Sequence, residues 1–301
     1  MTLAPIFMST YRRLDHVKKS LDALAKNPLA SQSTLYLSSD GPHPEHRDEV
    51  FEVRRHLESV EGFGEVKLHF FEENKRRQIW DLRRHISKTH GRYIYLEEDC
   101  ITAPGFLQYL NTSLTRYEDD PQVLAIIAYT PSLPEMAGPE LRNFRVPCSN
   151  VWGFSTWEDR DHLVRPAIST EDYMKTLRSP VLRRRAFESL GVPFIGMLGK
   201  VSRKELFGYD IMANYEIIKR DLVCIFPSQS LIRNIGFDGS GEHCGTSSEY
   251  QVNLYDENRD RWDDIEEVAS PEVNRAFGRF HGTSLKNRLR FYSKWLRGKL
   301  T

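Results

Sequence analysis

The 301-residue chain sets 42 Lys and Arg against 42 Asp and Glu, with 40% hydrophobic and 28% charged residues. That composition belongs to a folded protein, and its zero net charge supplies no global field for nucleic acid as a partner. Four cysteines, Cys100, Cys148, Cys224 and Cys244, stand far apart with no CxxC pair, which excludes a zinc module or disulfide framework and points to a reducing, cytoplasmic setting.

Residues 3–8 are apolar but too few for a signal peptide or a bilayer span, and no other stretch approaches spanning length. Residues 5–9 predict a first strand, after which Leu14, Val17, Leu21 and Leu24 recur at helical spacing. A second strand at 35–37 ends in Asp40-Gly41-Pro42, which is turn chemistry. Val50, Val53, Leu57 and Val60 mark a helix, 66–71 a third strand, Ile79, Leu82 and Ile86 another helix, and 93–96 a fourth strand. A helix carrying Phe106, Leu107, Leu110 and Leu114 and a strand at 123–128 follow. Residues 129–150, rich in Pro and Gly, read as a long loop; 173–219 reads as interrupted helix; and "LVCIFPSQS" reads as a strand leading into a Gly-rich loop. No linker divides the chain, so the expectation is one α/β domain with a mostly parallel sheet flanked by helices, followed by a C-terminal extension.

In open sheets of this kind ligands collect where strands stop. Thr10 and Arg12 follow the first strand, Asp40 the second, and Glu97, Glu98 and Asp99 the fourth. Acids at such a place could simply favour the positive end of the helix that follows. They could also hold Mg²⁺ or Mn²⁺, hard cations that prefer carboxylate oxygens together with substrate phosphates.

The stretch "YIYLEEDCITAPGFLQYL" resembles the acidic motif of GT-A glycosyltransferases, the nucleotide-sugar-dependent enzymes, and is similar above all to the N-acetylglucosaminyltransferase I type, where an apolar strand ends in Glu-Asp-Asp. The resemblance implies a Rossmann-like fold and Mn²⁺ or Mg²⁺ bound by Asp99. It gives Glu97 and Glu98 donor- or metal-contacting roles, with Glu98 departing from the family's middle aspartate. "PIFMSTYRR" resembles the first strand, with Thr10 and Arg12 or Arg13 meeting the nucleotide; in "LYLSSDGP" Asp40 corresponds to the aspartate that accepts from uracil N3–H. "FGYDIMANYEIIKRDLVCIFPSQSLIRNIGFDGSGEHCG" is similar to the acceptor half of related bacterial sugar transferases. It implies Asp210 as the base for the acceptor hydroxyl and His243 as a group reaching the metal or diphosphate. The implied organisation is a transferase domain over 1–250, with a nucleotide-binding half to about residue 120 and an acceptor half beyond it, then the 251–301 extension. The implied partners are a nucleotide-sugar, UDP-linked by the Asp40 match, and a glycan or lipid-linked glycan acceptor.

Trp152, Phe154 and Trp157 offer rings either to a sugar face or to a core. The basic run 74–85 reads as a solvated helix face, with Arg76 or Arg77 as alternative diphosphate contacts. Over 284–300, Leu285, Leu289, Tyr292 and Leu296 recur at helical spacing among six Lys or Arg. That pattern fits a helix docked on its own domain, or one lying on an anionic membrane at the inner face. Two rival functions share the features: a sugar nucleotidyltransferase, whose Gly-rich loop after the first strand is missing from "FMSTYRRLD", and a carbohydrate-binding protein that keeps the fold without catalysis.

Overall fold

The computed structural model describes residues 2–241, 246–257, 259 and 261–297, with the backbone alone at Arg76. Strands β1 (Ile6–Thr10), β2 (Thr34–Ser39), β3 (Glu65–Phe70) and β4 (Arg92–Glu97) alternate with helices α1 (Leu14–Ala25), α2 (Arg47–Leu57) and α3 (Arg76–His90). A short β5 (Cys100–Thr102), α4 (Phe106–Arg116), β6 (Val123–Ile127), β7 (Arg142–Val146) and β8 (Phe154–Trp157) follow. Next come α5 (Glu158–Asp161), α6 (Thr170–Arg178), α7 (Pro180–Arg185), α8 (Pro193–Ser202) and α9 (Tyr209–Arg220). The described chain closes with β9 (Val223–Pro227), β10 (Ile232–Asn234), β11 (Glu266–Val268), α10 (Pro271–Phe280) and α11 (Leu285–Leu296).

Nine strands form one sheet in the order β11-β7-β9-β6-β8-β4-β1-β2-β3. β3, β2, β1 and β4 are parallel, β8 is antiparallel to both β4 and β6, and β9 runs parallel to β6. The protein is thus a mixed α/β fold with a large, mostly parallel central sheet flanked by helices. Helices cover both faces, so central strands are apolar on both sides: Ile6 and Met8 of β1 enter one core layer and Phe7 the other, all with no exposed surface. The edge strand β3 is half-exposed and carries Lys67 and Glu65 as an ion pair. α3 ends where Gly91 turns left-handed at φ 73°, so that β4 returns directly beside β1.

The loop expected over 129–150 contains β7, which lies between β9 and β11, antiparallel to the first and parallel to the second. Its arginines disguise it, but Arg145 is neutralised by Asp120 and Glu267, both at 2.6 Å. β8, α10 and β11 also escaped the periodicity, and β11 joins the extension to the main sheet by pairing with β7. Among the described residues no helix is long and apolar enough to cross a membrane.

Candidate active site

The carboxyl ends of β1, β2 and β4 meet at a cleft of about 360 Å³ that gathers Thr10, Arg12, Asp40, Glu97, Glu98 and Asp99. Its far wall comes from the segment after β10, through Asn234, Gly236 and Ser240, and from Trp152. The antiparallel pair β5–β10 sets that wall, because its register places Asn234 opposite Cys100, directly after the acids.

Arg13, at the mouth of α1, organises the acids. Its Nε donates to Glu98 Oε1 and its Nη2 to Asp99 Oδ2, both at 2.7 Å. Burial works against the guanidinium's charge, but Glu98 and Asp99 outweigh it and its pKa rises. Glu98 Oε2 accepts from the Tyr11 amide at 2.6 Å, and the Glu98 carbonyl accepts from the Ser20 hydroxyl at 2.8 Å. Burial still leaves the Glu98 carboxyl above its ordinary range, with Arg13 opposing. Asp99 Oδ1 accepts from Asn234 Nδ2 at 3.3 Å. Gly236 lies so close that a Cβ there would come within 2.1 Å of Asp99 Oδ2 and 2.9 Å of Arg13 Nη1. The sequence offered Arg13 only as an alternative to Arg12 and Gly236 only as part of a Gly-rich loop whose backbone would approach something anionic, and it gave no sign of Asn234, which lies 135 residues from Asp99.

Asp40 sits at the end of β2, where its Oδ1 accepts from the amides of Gly41 at 3.0 Å and Lys75 at 3.3 Å. The next residue must be glycine, since a Cβ on Gly41 would lie 2.2 Å from the Glu73 carbonyl carbon. The Thr10 hydroxyl turns away from the cleft to donate to the Ser38 carbonyl at 2.9 Å. Arg12 is partly exposed, with Nη1 3.6 Å from Glu49. His243 lies outside the described residues. Arg77 is exposed and pairs with Asp81, and the side chain of Arg76 is not described.

A second cavity, about 460 Å³, shares Ser9, Ile79 and Glu97 with the first and reaches Asp210 on α9. Its walls are rings: Trp80, Tyr95, Phe154, Phe207 and Tyr209. Phe154 stacks on Tyr209 at 5.4 Å, and the Arg83 guanidinium lies between Trp80 and Tyr209, at 4.2 and 4.0 Å from their centroids. Asp161, with no exposed surface, accepts from the hydroxyls of Tyr93 and Tyr209 and pairs with Arg84 at 3.0 Å, which pins the start of α9. The basic run expected as a solvated face therefore sends Trp80 and Arg83 inward. Of the three rings weighed earlier, Trp157 is core, Phe154 is buried in the wall of the second cavity, and Trp152 lines the cleft, braced by Tyr129, Phe237 and Tyr250.

The electrostatics of the junction are lopsided. Burial pushes the Glu97 carboxyl well above the usual carboxylate range, and Asp99 and Asp210 push it further. Among the described side chains Glu97 has no hydrogen bond or ion pair. Asp210 is likewise raised by burial, with the amides of Ile211 and Asp210 opposing. Glu97 is half-buried, with only the charge of Arg13 opposing its acidic neighbours, and such a carboxylate calls for a proton or a cation. The donor set of Glu97 and Asp99, oxygen alone, suits a hard divalent ion.

No family model matches the chain, and no curated protein matches it. Solved structures with a related arrangement include the mannosyltransferase PcManGT from Pyrobaculum calidifontis in complex with GDP-Man and Mn²⁺, at 12% identity over 54% of this chain and 45% of that one, TM-score 0.36. GalNAc-T7 with UDP, GalNAc and Mn²⁺ is 12% identical over 75% of this chain and 43% of that one, TM-score 0.43; TarS residues 1–349 of S. aureus are 9% identical over 76% and 59%, TM-score 0.39. This chain thus matches between about two fifths and three fifths of those structures' lengths.

Proposed function

We propose that the chain is a GT-A glycosyltransferase that moves a sugar from a UDP-linked nucleotide-sugar to a hydroxyl of a glycan or lipid-linked glycan, with inversion and with Mn²⁺ or Mg²⁺ as cofactor. The observation that supports this best is the junction at Glu97. On one side lies a cleft bearing Asp40, Arg12 and the three acids, and on the other an aromatic cavity that ends at Asp210.

In this reading Asp40, an acceptor held by two amides, selects a base that presents an imide N–H. Arg12 and Thr10 bound the nucleotide, and Glu98 fixes Tyr11 and Arg13 beneath it. Asp99 and Glu97 would hold the cation, and the sequence resemblance adds His243, outside the described residues, as a group for the metal or the diphosphate. When bound, that ion supplies Lewis-acid neutralisation of charge on the departing diphosphate. The rings around the second cavity present apolar faces to sugar C–H groups and exclude water. Asp210, its pKa raised by burial, takes the proton of the attacking hydroxyl more readily than an ordinary aspartate would. A lipid-linked acceptor places this reaction at the inner face of a membrane.

Asp210→Asn tests the assignment. The variant is expected to keep UDP-sugar affinity in calorimetry and lose transfer by ~100-fold or more; unchanged transfer removes Asp210 from the chemistry. One feature favours the rival carbohydrate-binding reading: both Asp99 oxygens already accept from protein donors, Arg13 and Asn234. That reading predicts no heat on titration with UDP, whether or not Mn²⁺ is present.

A further inference from the structure

We propose that α11 is an interfacial helix that seats the protein on an anionic bilayer, whether or not the cleft transfers sugar. Leu285, Leu289 and Leu296 are 74%, 62% and 82% exposed, and Tyr292 shares their face at the spacing i, i+4, i+7, i+11. The three leucines are not the face that docks the helix. Docking runs through Phe291, buried edge-on against Phe187 at 5.3 Å, through Tyr292, edge-on to the same ring at 6.4 Å, and through Trp295, which lies beneath the Arg183 guanidinium at 4.9 Å. The helix is therefore held to the domain on one side while it turns three leucines to the outside.

Charge identifies the occupant. Lys286, Arg288, Arg290, Lys294 and Arg297 are the charged residues of 285–297, all basic, in a chain whose net charge is zero. At 100° per residue Arg288, whose guanidinium lies over the Phe187 ring at 5.9 Å, borders the stripe on the docked side, and Lys286, Arg290 and Arg297 flank it on the open side. Their stems can lie along acyl chains while the cationic ends reach phosphates. A second copy meeting this face would bring like charges together. Anionic headgroups neutralise them, at roughly 1 kcal/mol per basic residue near the surface.

Flotation of the full chain with phosphatidylcholine vesicles, alone or mixed with phosphatidylglycerol, tests the proposal. The protein is expected to float with the anionic vesicles alone, and less so at high salt. Leu289→Asp combined with Leu296→Asp should lower partitioning by about tenfold or more. Lys286→Glu combined with Arg290→Glu should abolish the preference for anionic lipid. Because these side chains are on the surface, thermal unfolding and the heat of UDP titration should match the parent's. Three outcomes overturn the proposal: no flotation of the parent; equal flotation of the leucine variant; or a concentration-dependent dimer in light scattering that the leucine variant abolishes without any vesicle binding.

Discussion

Glu97 concentrates the account at the scale of one side chain. Its raised pKa means that the folded state holds a proton the unfolded chain releases, so stability falls as pH rises above the ordinary carboxylate range. Glu97→Gln should therefore raise the melting temperature at neutral pH, by an amount equivalent to ~1 kcal/mol or more. The gain should vanish below about pH 4, where both states are protonated. A melting series across pH checks the sign, and a variant less stable than the parent at pH 7 would contradict it. The same reasoning at Asp210 sets the pH profile of transfer: its acid limb should lie above the range of an unperturbed aspartate. Gly236→Ala tests the close approach to Asp99. A Cβ 2.1 Å from Oδ2 forces the carboxylate off Arg13, so UDP affinity should drop by about tenfold and the melting temperature should fall with the broken buried pair. An unchanged affinity would show that the Arg13–Asp99 contact is dispensable.

At the scale of elements, the first half of the molecule was legible because each segment repeats a single period, and β1, β2 and β4 form within a residue or two of the expected runs. Asp40 and the three acids stood out for the same reason, since they lie at or just past the end of a strand. β7 was hidden because its arginines are satisfied by partners far away in sequence: Glu267 lies 122 residues from Arg145. The tight network around Arg13 was illegible on the same ground, since Glu98, Asp99 and Gly236 converge only once β5 pairs with β10. The Arg145 bridge also sets a pH dependence. Burial opposes ionisation of Asp120 and Glu267, but the hydrogen bonds from Arg145 lower both pKa values. Their contribution is present above the unfolded carboxylate range and is lost as pH falls through the lowered values. Arg145→Met should cost about 1 kcal/mol at neutral pH, a value reduced by solvent screening, and should speed amide exchange at β11 first. Protection at 266–268 equal to the parent's would show that the strand is held by its ladder alone.

Across the whole molecule, a chain of zero net charge carries an acidic junction at Glu97, a buried guanidinium at Arg83 set among rings and paired with Asp161 at 3.6 Å, and a basic helix with an exposed leucine stripe. Glu97 and Arg83 line one cavity, whereas the leucine stripe of α11 is not among that cavity's lining residues. The central claim is that residue 99 and its neighbours hold a divalent cation against a nucleotide diphosphate. Calorimetric titration of UDP into the full chain, with and without Mn²⁺, for the parent and for Asp99→Asn, tests it most directly. The account predicts binding that requires Mn²⁺ and is lost in the variant; UDP binding that is indifferent to the metal and to the substitution, or no UDP binding at all, would contradict it.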